Sequence, residues 1–140
     1  MITSRPNDDE EHHRREEKVT LENSIKTNRR AVLVVNARSR RGARYYSEAK
    51  RRLVEKGWTL DAAYPVHRPE RLPEIVRQAI SQGHKFIIIG GGDGTISSVV
   101  DHFAYTDVVF GILPLGTANS FARHLSIPLQ LDAAVDVLRV

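Results

Sequence analysis

The sequence predicts an α/β fold: a three-layer, doubly wound domain with a mainly parallel sheet and the order βαβαβαβα, its crossovers right-handed. Three observations carry that expectation. Apolar runs rich in Val and Ile at 31–35, 86–89 and 107–113 lack polar alternation, as strands covered on both faces do. Between them lie stretches with apolar residues at helical spacing, of which Leu72, Ile75, Val76, Ala79 and Ile80 form the clearest stripe. Each apolar run also ends in a loop of small and polar residues, and the carboxyl ends of strands are where open parallel sheets collect ligands.

Taken in order, residues 1–28 are polar and charge-rich, centred on Asp-Asp-Glu-Glu-His-His-Arg-Arg-Glu-Glu-Lys at 8–18. Mixed charge with few apolar side chains buries too little surface to offset chain entropy, so this stretch is expected to be a flexible extension. His12 and His13 are adjacent on it and converge poorly on one metal ion. The folded domain is expected over 29–140. Its first strand, 31–35, ends in Asn36-Ala37-Arg38-Ser39-Arg40-Arg41-Gly42, which places Asn36, Ser39 and the arginines, Arg40 among them, where a ligand would lie. A helix follows over 43–56, with Tyr46, Ala49 and Leu53 on one face and Gly57 as its stop. The second strand is expected over 58–64, ending at Pro65, and the second helix over 69–82, closed by Gly83.

The third strand, 85–89, runs into the stretch on which the reading turns: Gly90-Gly91-Gly92-Asp93-Gly94-Thr95. Three consecutive glycines permit φ > 0 and let a ligand approach the peptide groups. Thr95 is expected to cap a helix in which Ile96, Val99, Val100 and Phe103 fall at i, i+3, i+4 and i+7. Free N–H groups at such a helix start attract phosphate. Asp93 would repel a bare phosphate, so it points to a Mg²⁺ ion, a water network or a nucleotide hydroxyl. The fourth strand, 107–113, leads into Pro114-Leu115-Gly116-Thr117-Ala118-Asn119-Ser120-Phe121-Ala122-Arg123-His124, a second small turn before a short helix. Pro128 ends that helix, and Leu131, Ala134, Val135 and Leu138 mark another.

Composition narrows the classes. The chain has 140 residues, enough for one core, and is 41% hydrophobic, which is globular. Its net charge of +4 suits nucleotides or anionic lipid surfaces; a basic stripe interleaved with aromatics, the mark of a nucleic-acid binder, is not read from it. Zero cysteines exclude disulfide and thiolate chemistry. No apolar run approaches the ~20 residues that span a bilayer, so a cytoplasmic protein with at most peripheral membrane contact is expected.

Three segments together resemble the catalytic domain of the diacylglycerol kinase family, in particular its bacterial lipid kinases. They are NARSRRG at 36–42, GGDGT at 91–95 and LPLGTANSFAR at 113–123. The GGDGT element is shared with NAD kinases, whereas the Leu-Pro-x-Gly-Thr-x-Asn segment behind it belongs to the lipid kinases. The resemblance, over about 31–140, implies the N-terminal nucleotide-binding domain of the NAD kinase/diacylglycerol kinase-like fold. It implies transfer of the γ-phosphoryl group of ATP to a lipid hydroxyl, with Mg²⁺ as cofactor. Nucleotide contacts then fall on Asn36, Gly91, Gly92, Asp93, Gly94, Thr95, Gly116, Thr117 and Asn119, with Asp93 toward the metal.

The chain departs from the family in two places and in length. Ser120 stands where the family usually has an acid after Asn119, and Tyr64 ends the second strand where relatives commonly have Thr. Family members carry a second, β-rich domain that by resemblance supplies the lipid contacts and the general base. The sequence is therefore expected to be the nucleotide-binding half, weakly active or inactive alone, with an exposed terminal helix that leaves room for homodimerisation. The alternatives carried forward are a non-catalytic nucleotide-binding module and an NAD kinase.

Overall fold

A computed structural model describes residues 28–115 together with Arg15, Glu16, Asn23, Ile25 and Val135. Four strands, β1 (Arg30–Asn36), β2 (Thr59–Val66), β3 (Phe86–Gly91) and β4 (Val109–Pro114), form one sheet in the order β2-β1-β3-β4. Every pairing is parallel, with Val34 opposite Tyr64 on one side and Ile89 on the other, and Ile89 opposite Ile112. Parallel neighbours need crossovers, and these are the helices α1 (Arg40–Glu55), α2 (Leu72–Ser81) and α3 (Asp93–Val99).

The central strand explains its own sequence. Val32, Leu33, Val34 and Val35 have no exposed surface, because both faces of β1 are covered. Leu33 and Val35 point into a cluster with Ala49 and Leu53 of α1, Phe86, Ile88 and Leu113. Val32 and Val34 point the other way, to Leu72, Val76 and Ala79 of α2, Val99 of α3, Ile87, Ile89 and Phe103. The period-two alternation of a strand thus divides one apolar run between two cores, giving the three-layer α/β/α architecture. Trp58 packs against Phe86 at 5.3 Å between ring centroids in the first core, and Phe103 against Phe110 at 4.8 Å beside the second.

Four local expectations are corrected. Helix α1 starts at Arg40, three residues before 43, because the Ser39 hydroxyl accepts a hydrogen bond from Gly42 N at 2.9 Å and caps the helix. Strand β2 runs through Pro65 to Val66; proline removes a ladder donor, but β2 is the edge strand and Val66 still accepts from Ala37 N. Thr95 is not the cap of α3: Gly92 takes that position without a side-chain bond, and Thr95 lies inside the helix with 8% of its surface exposed. The apolar stripe that follows is split between α3 and a 3₁₀ turn, Val100–Phe103, with Ile96, Val99 and Phe103 buried. Gly57 and Gly83, the expected helix stops, adopt φ of +90° and +87° just past α1 and α2. The expected charged extension over 1–28 and the helices after 115 lie almost entirely outside the described residues.

Candidate functional site

The chain leaves β1 for β2 on one side and returns to β3 on the other, so the carboxyl ends of β1 and β3 form the switch point of the sheet. A cleft of about 430 Å³ opens there, lined by Asn36, Arg38 and Ser39 after β1, Gly91 and Gly92 after β3, and Leu115 after β4. The three strand ends singled out in the sequence therefore share one rim, held at β4 by the bond from Leu115 N to Gly91 O at 2.9 Å.

The glycines have a different reason than φ > 0, since neither Gly90, Gly91 nor Gly92 has a positive φ. They allow close approach. A Cβ on Gly91 would stand 2.7 Å from Thr95 Cβ, and one on Gly90 2.9 Å from Val35 Cγ2. Helix α3 is thereby folded tightly onto the strand that precedes it. Gly94 differs: a Cβ there would meet nothing within 4 Å, and the residue is exposed. The first N–H groups of α3 have no partners inside the helix by its geometry, so the open side at Gly94 is where anionic oxygens could reach them.

Asn36 is tied to that turn across 59 residues of sequence. Its Nδ2 donates to Thr95 Oγ1 at 3.0 Å, and its Oδ1 accepts from Arg38 N at 3.2 Å. Gly42 packs below: a Cβ there would lie 2.5 Å from Asn36 O, so the first turn of α1 sits directly on the end of β1. His67 Nδ1 lies 3.2 Å from Ala37 O and braces the same loop from β2. Tyr45, on α1, reaches Pro114 O with its hydroxyl at 3.2 Å and so fixes the end of β4. Burial pushes its phenol above the usual tyrosine range, against a smaller opposing effect of Arg41.

Of the residues expected at the site, Asn36, Ser39, Gly91 and Gly92 line the cleft. Asp93 is half-buried in the first turn of α3, and Thr95 supports the cleft from beneath. Arg40 is exposed in the first turn of α1 and is not part of the lining; Arg38 is. Tyr64 stands on the edge strand, 38% exposed, away from the cleft. Gly116, Thr117, Asn119 and Ser120 lie outside the described residues. Arg38 is one of the arginines expected near a ligand after β1, and Leu115, which directly follows β4, is not singled out by sequence as a contact. Among the described residues no three His, Cys, Asp or Glu side chains gather as a metal site. Asp93 is thus a single carboxylate, which fits a cation held mainly by phosphate oxygens and water rather than by a protein cage.

Three comparisons bear on this geometry. The sequence profile of the diacylglycerol kinase catalytic domain matches residues 30–140. A protein of Pseudomonas syringae pv. syringae named "Probable lipid kinase YegS-like" is 34% identical over 120 residues, 81% of this chain and 37% of its own length. One of Pseudomonas aeruginosa with the same name is 44% identical over 66 residues, 46% of this chain and 22% of its own. The crystal structure of a diacylglycerol kinase from Bacillus anthracis superposes with a TM-score of 0.67 at 21% identity, covering 79% of this chain and 39% of that one. The chain thus spans well under half the length of these proteins.

Proposed function

Because the chain belongs to the diacylglycerol kinase catalytic-domain family, we propose that it is the nucleotide-binding domain of a lipid kinase that uses Mg-ATP to phosphorylate a lipid hydroxyl. The observation that supports this most is the switch-point cleft, where Arg38, the cap of α1 at Ser39 and the glycine turn at Gly91 and Gly92 face one space.

Phosphoryl transfer asks for positioning and charge stabilisation more than covalent help. In this reading Gly91, Gly92 and Gly94 let the phosphates reach the backbone amides, and Arg38 offsets their charge. Thr95 is held by Asn36, so the turn is set before nucleotide arrives. Gly116, Thr117 and Asn119, which follow β4 in sequence and lie outside the described residues, are assigned to nucleotide contact by the family resemblance alone. Asp93 would hold the cation or its waters, and a Mg²⁺ bound there would supply charge neutralisation. The acceptor oxygen forms the new bond to the γ-phosphorus, the bond to the β-phosphate oxygen breaks, ADP leaves, and the hydroxyl proton passes to a base. That base and the lipid contacts are assigned to another part of the kinase by the family resemblance; among the described residues that line the cleft there is no carboxylate or histidine.

Thermal unfolding with and without Mg-ATP tests the reading. Nucleotide at about 100 times its dissociation constant raises stability by ~2.7 kcal/mol, a clear shift in midpoint. The parent is expected to shift and Asp93→Ala to lose the shift while keeping its ligand-free midpoint within a few degrees. Equal shifts in both proteins, or none in the parent, would count against the nucleotide site.

A further inference from the structure

Three loops make the cleft, and hydrogen bonds tie them in pairs. Asn36 Nδ2 donates to Thr95 Oγ1 at 3.0 Å, which joins the loop after β1 to the turn after β3. Leu115 N donates to Gly91 O at 2.9 Å, which joins the segment after β4 to the same turn. The third side of this triangle is Tyr45, whose hydroxyl donates to Pro114 O at 3.2 Å over a sequence separation of 69 residues. Tyr45 acts for the loop after β1 because its helix is fixed there. Ser39 caps α1, and Gly42 sits where a Cβ would stand 2.5 Å from Asn36 O. Gly42, Tyr45 and Ala49, at i, i+3 and i+7, lie on the one face of α1 that meets the sheet.

Strand β4 is not a neighbour of β1, because β3 lies between them. On the α1 side β3 presents Phe86 and Ile88 and then, by strand alternation, Gly90, which has no side chain. The Tyr45 ring packs against this cluster, and its hydroxyl reaches the last residue of β4. Burial raises the phenol above the usual tyrosine range, so the hydroxyl remains a donor throughout the neutral range.

We propose that Tyr45 is a positioning residue of the nucleotide site: it sets the distance between Arg38 and Ser39 on one wall and the segment that begins at Leu115 on the other. The proposal rests on the Mg-ATP reading of the cleft. Tyr45 is not among the lining residues, so it acts through Pro114 and Leu115. Without its hydroxyl the triangle keeps two sides and opens at the third. The spacing that nucleotide needs is then held for a smaller share of the time, and apparent affinity falls in proportion. The next residue gives the contrast. Tyr46 donates to Ala63 O at 3.4 Å on the edge strand β2, and among the described residues β2 contributes nothing to the cleft lining.

Calorimetric titration of Mg-ATP into the 140-residue chain, with Tyr45→Phe and Tyr46→Phe beside it, tests the proposal. Each variant loses one oxygen and keeps its ring, so both are expected to fold, with ligand-free thermal midpoints close to each other. Tyr45→Phe should bind Mg-ATP roughly fivefold more weakly, the fold-change that one net hydrogen bond carries. Tyr46→Phe should bind as the parent does. In hydrogen exchange without nucleotide, Tyr45→Phe should speed the Leu115 amide and leave the Val109 amide, which donates to Lys85 O at the other end of β4, unchanged. A tyrosine that only supports the fold would lower the midpoint and leave affinity alone. The proposal is overturned by parental affinity in Tyr45→Phe, by equal losses of affinity in the two variants, or by Leu115 and Val109 exchanging faster together. No binding of Mg-ATP by the parent overturns the nucleotide reading and the proposal with it, whereas parental affinity in Tyr45→Phe removes the proposal alone and leaves the nucleotide site standing.

Discussion

The loops after β1 and β3 meet at the same cleft, yet the fold uses them to different extents. In the loop after β1 nearly every distinctive side chain is engaged by the protein itself: Asn36 holds Thr95 and Arg38 N, Ser39 caps α1, and Gly42 exists so that the helix can sit on Asn36 O. The loop after β3 is divided. Gly90 and Gly91 are required by Val35 and Thr95, but Gly94 is required by nothing within 4 Å. A residue type that sequence alone would read as ligand-binding can therefore be structural in one loop and left free for a ligand in the other.

Three substitutions sharpen or break that contrast. Gly42→Ala should have the largest effect, because its methyl would meet a backbone oxygen at 2.5 Å that cannot swing aside. A loss of about 2–3 kcal/mol in urea unfolding is expected. Asn36→Ala should cost about 1–2 kcal/mol by removing two hydrogen bonds at a half-buried position. It should also weaken Mg-ATP binding in calorimetry, because Thr95 loses the group that holds it. Gly94→Ala should change stability least, by ~1 kcal/mol or less and toward greater stability, since alanine favours a helical position. Its Mg-ATP affinity should nonetheless fall about tenfold or more, equivalent to ~1.4 kcal/mol. If Gly94→Ala bound nucleotide normally, the division between the loops would not hold.

Much of this was legible beforehand. Apolar runs without alternation gave β1, β3 and β4 to within a few residues, because burial on both faces leaves a mark on every position of a strand. The placement of three loops on one rim followed from parallel topology. What sequence could not show were pairings between distant side chains. Nothing local in Thr95 reveals that its hydroxyl is claimed by a residue 59 positions earlier and buried beneath Gly91, so its cap-forming chemistry was taken at face value. Likewise a glycine that avoids a clash and one that needs a left-handed backbone are the same letter. Ser39 is a residue type that suits both a ligand contact and a helix cap, and only the structure shows its hydroxyl capping α1. Arg40 and Arg38 are two residues apart, and only the turn of α1 decides which faces the cleft.

The strand order has a consequence for synthesis. The central strand β1 is the first of the four made, yet its partner on one side, β3, is encoded 55 positions later, from Val32 to Ile87. At roughly 5–20 residues per second of translation, that edge waits ~3–11 s for its neighbour. Val32 to Val35, four residues with no exposed surface in the folded domain, thus wait exposed as the nascent chain leaves the ribosome, and slowed elongation between β1 and β3 would enlarge the window in which copies of this strand pair with each other.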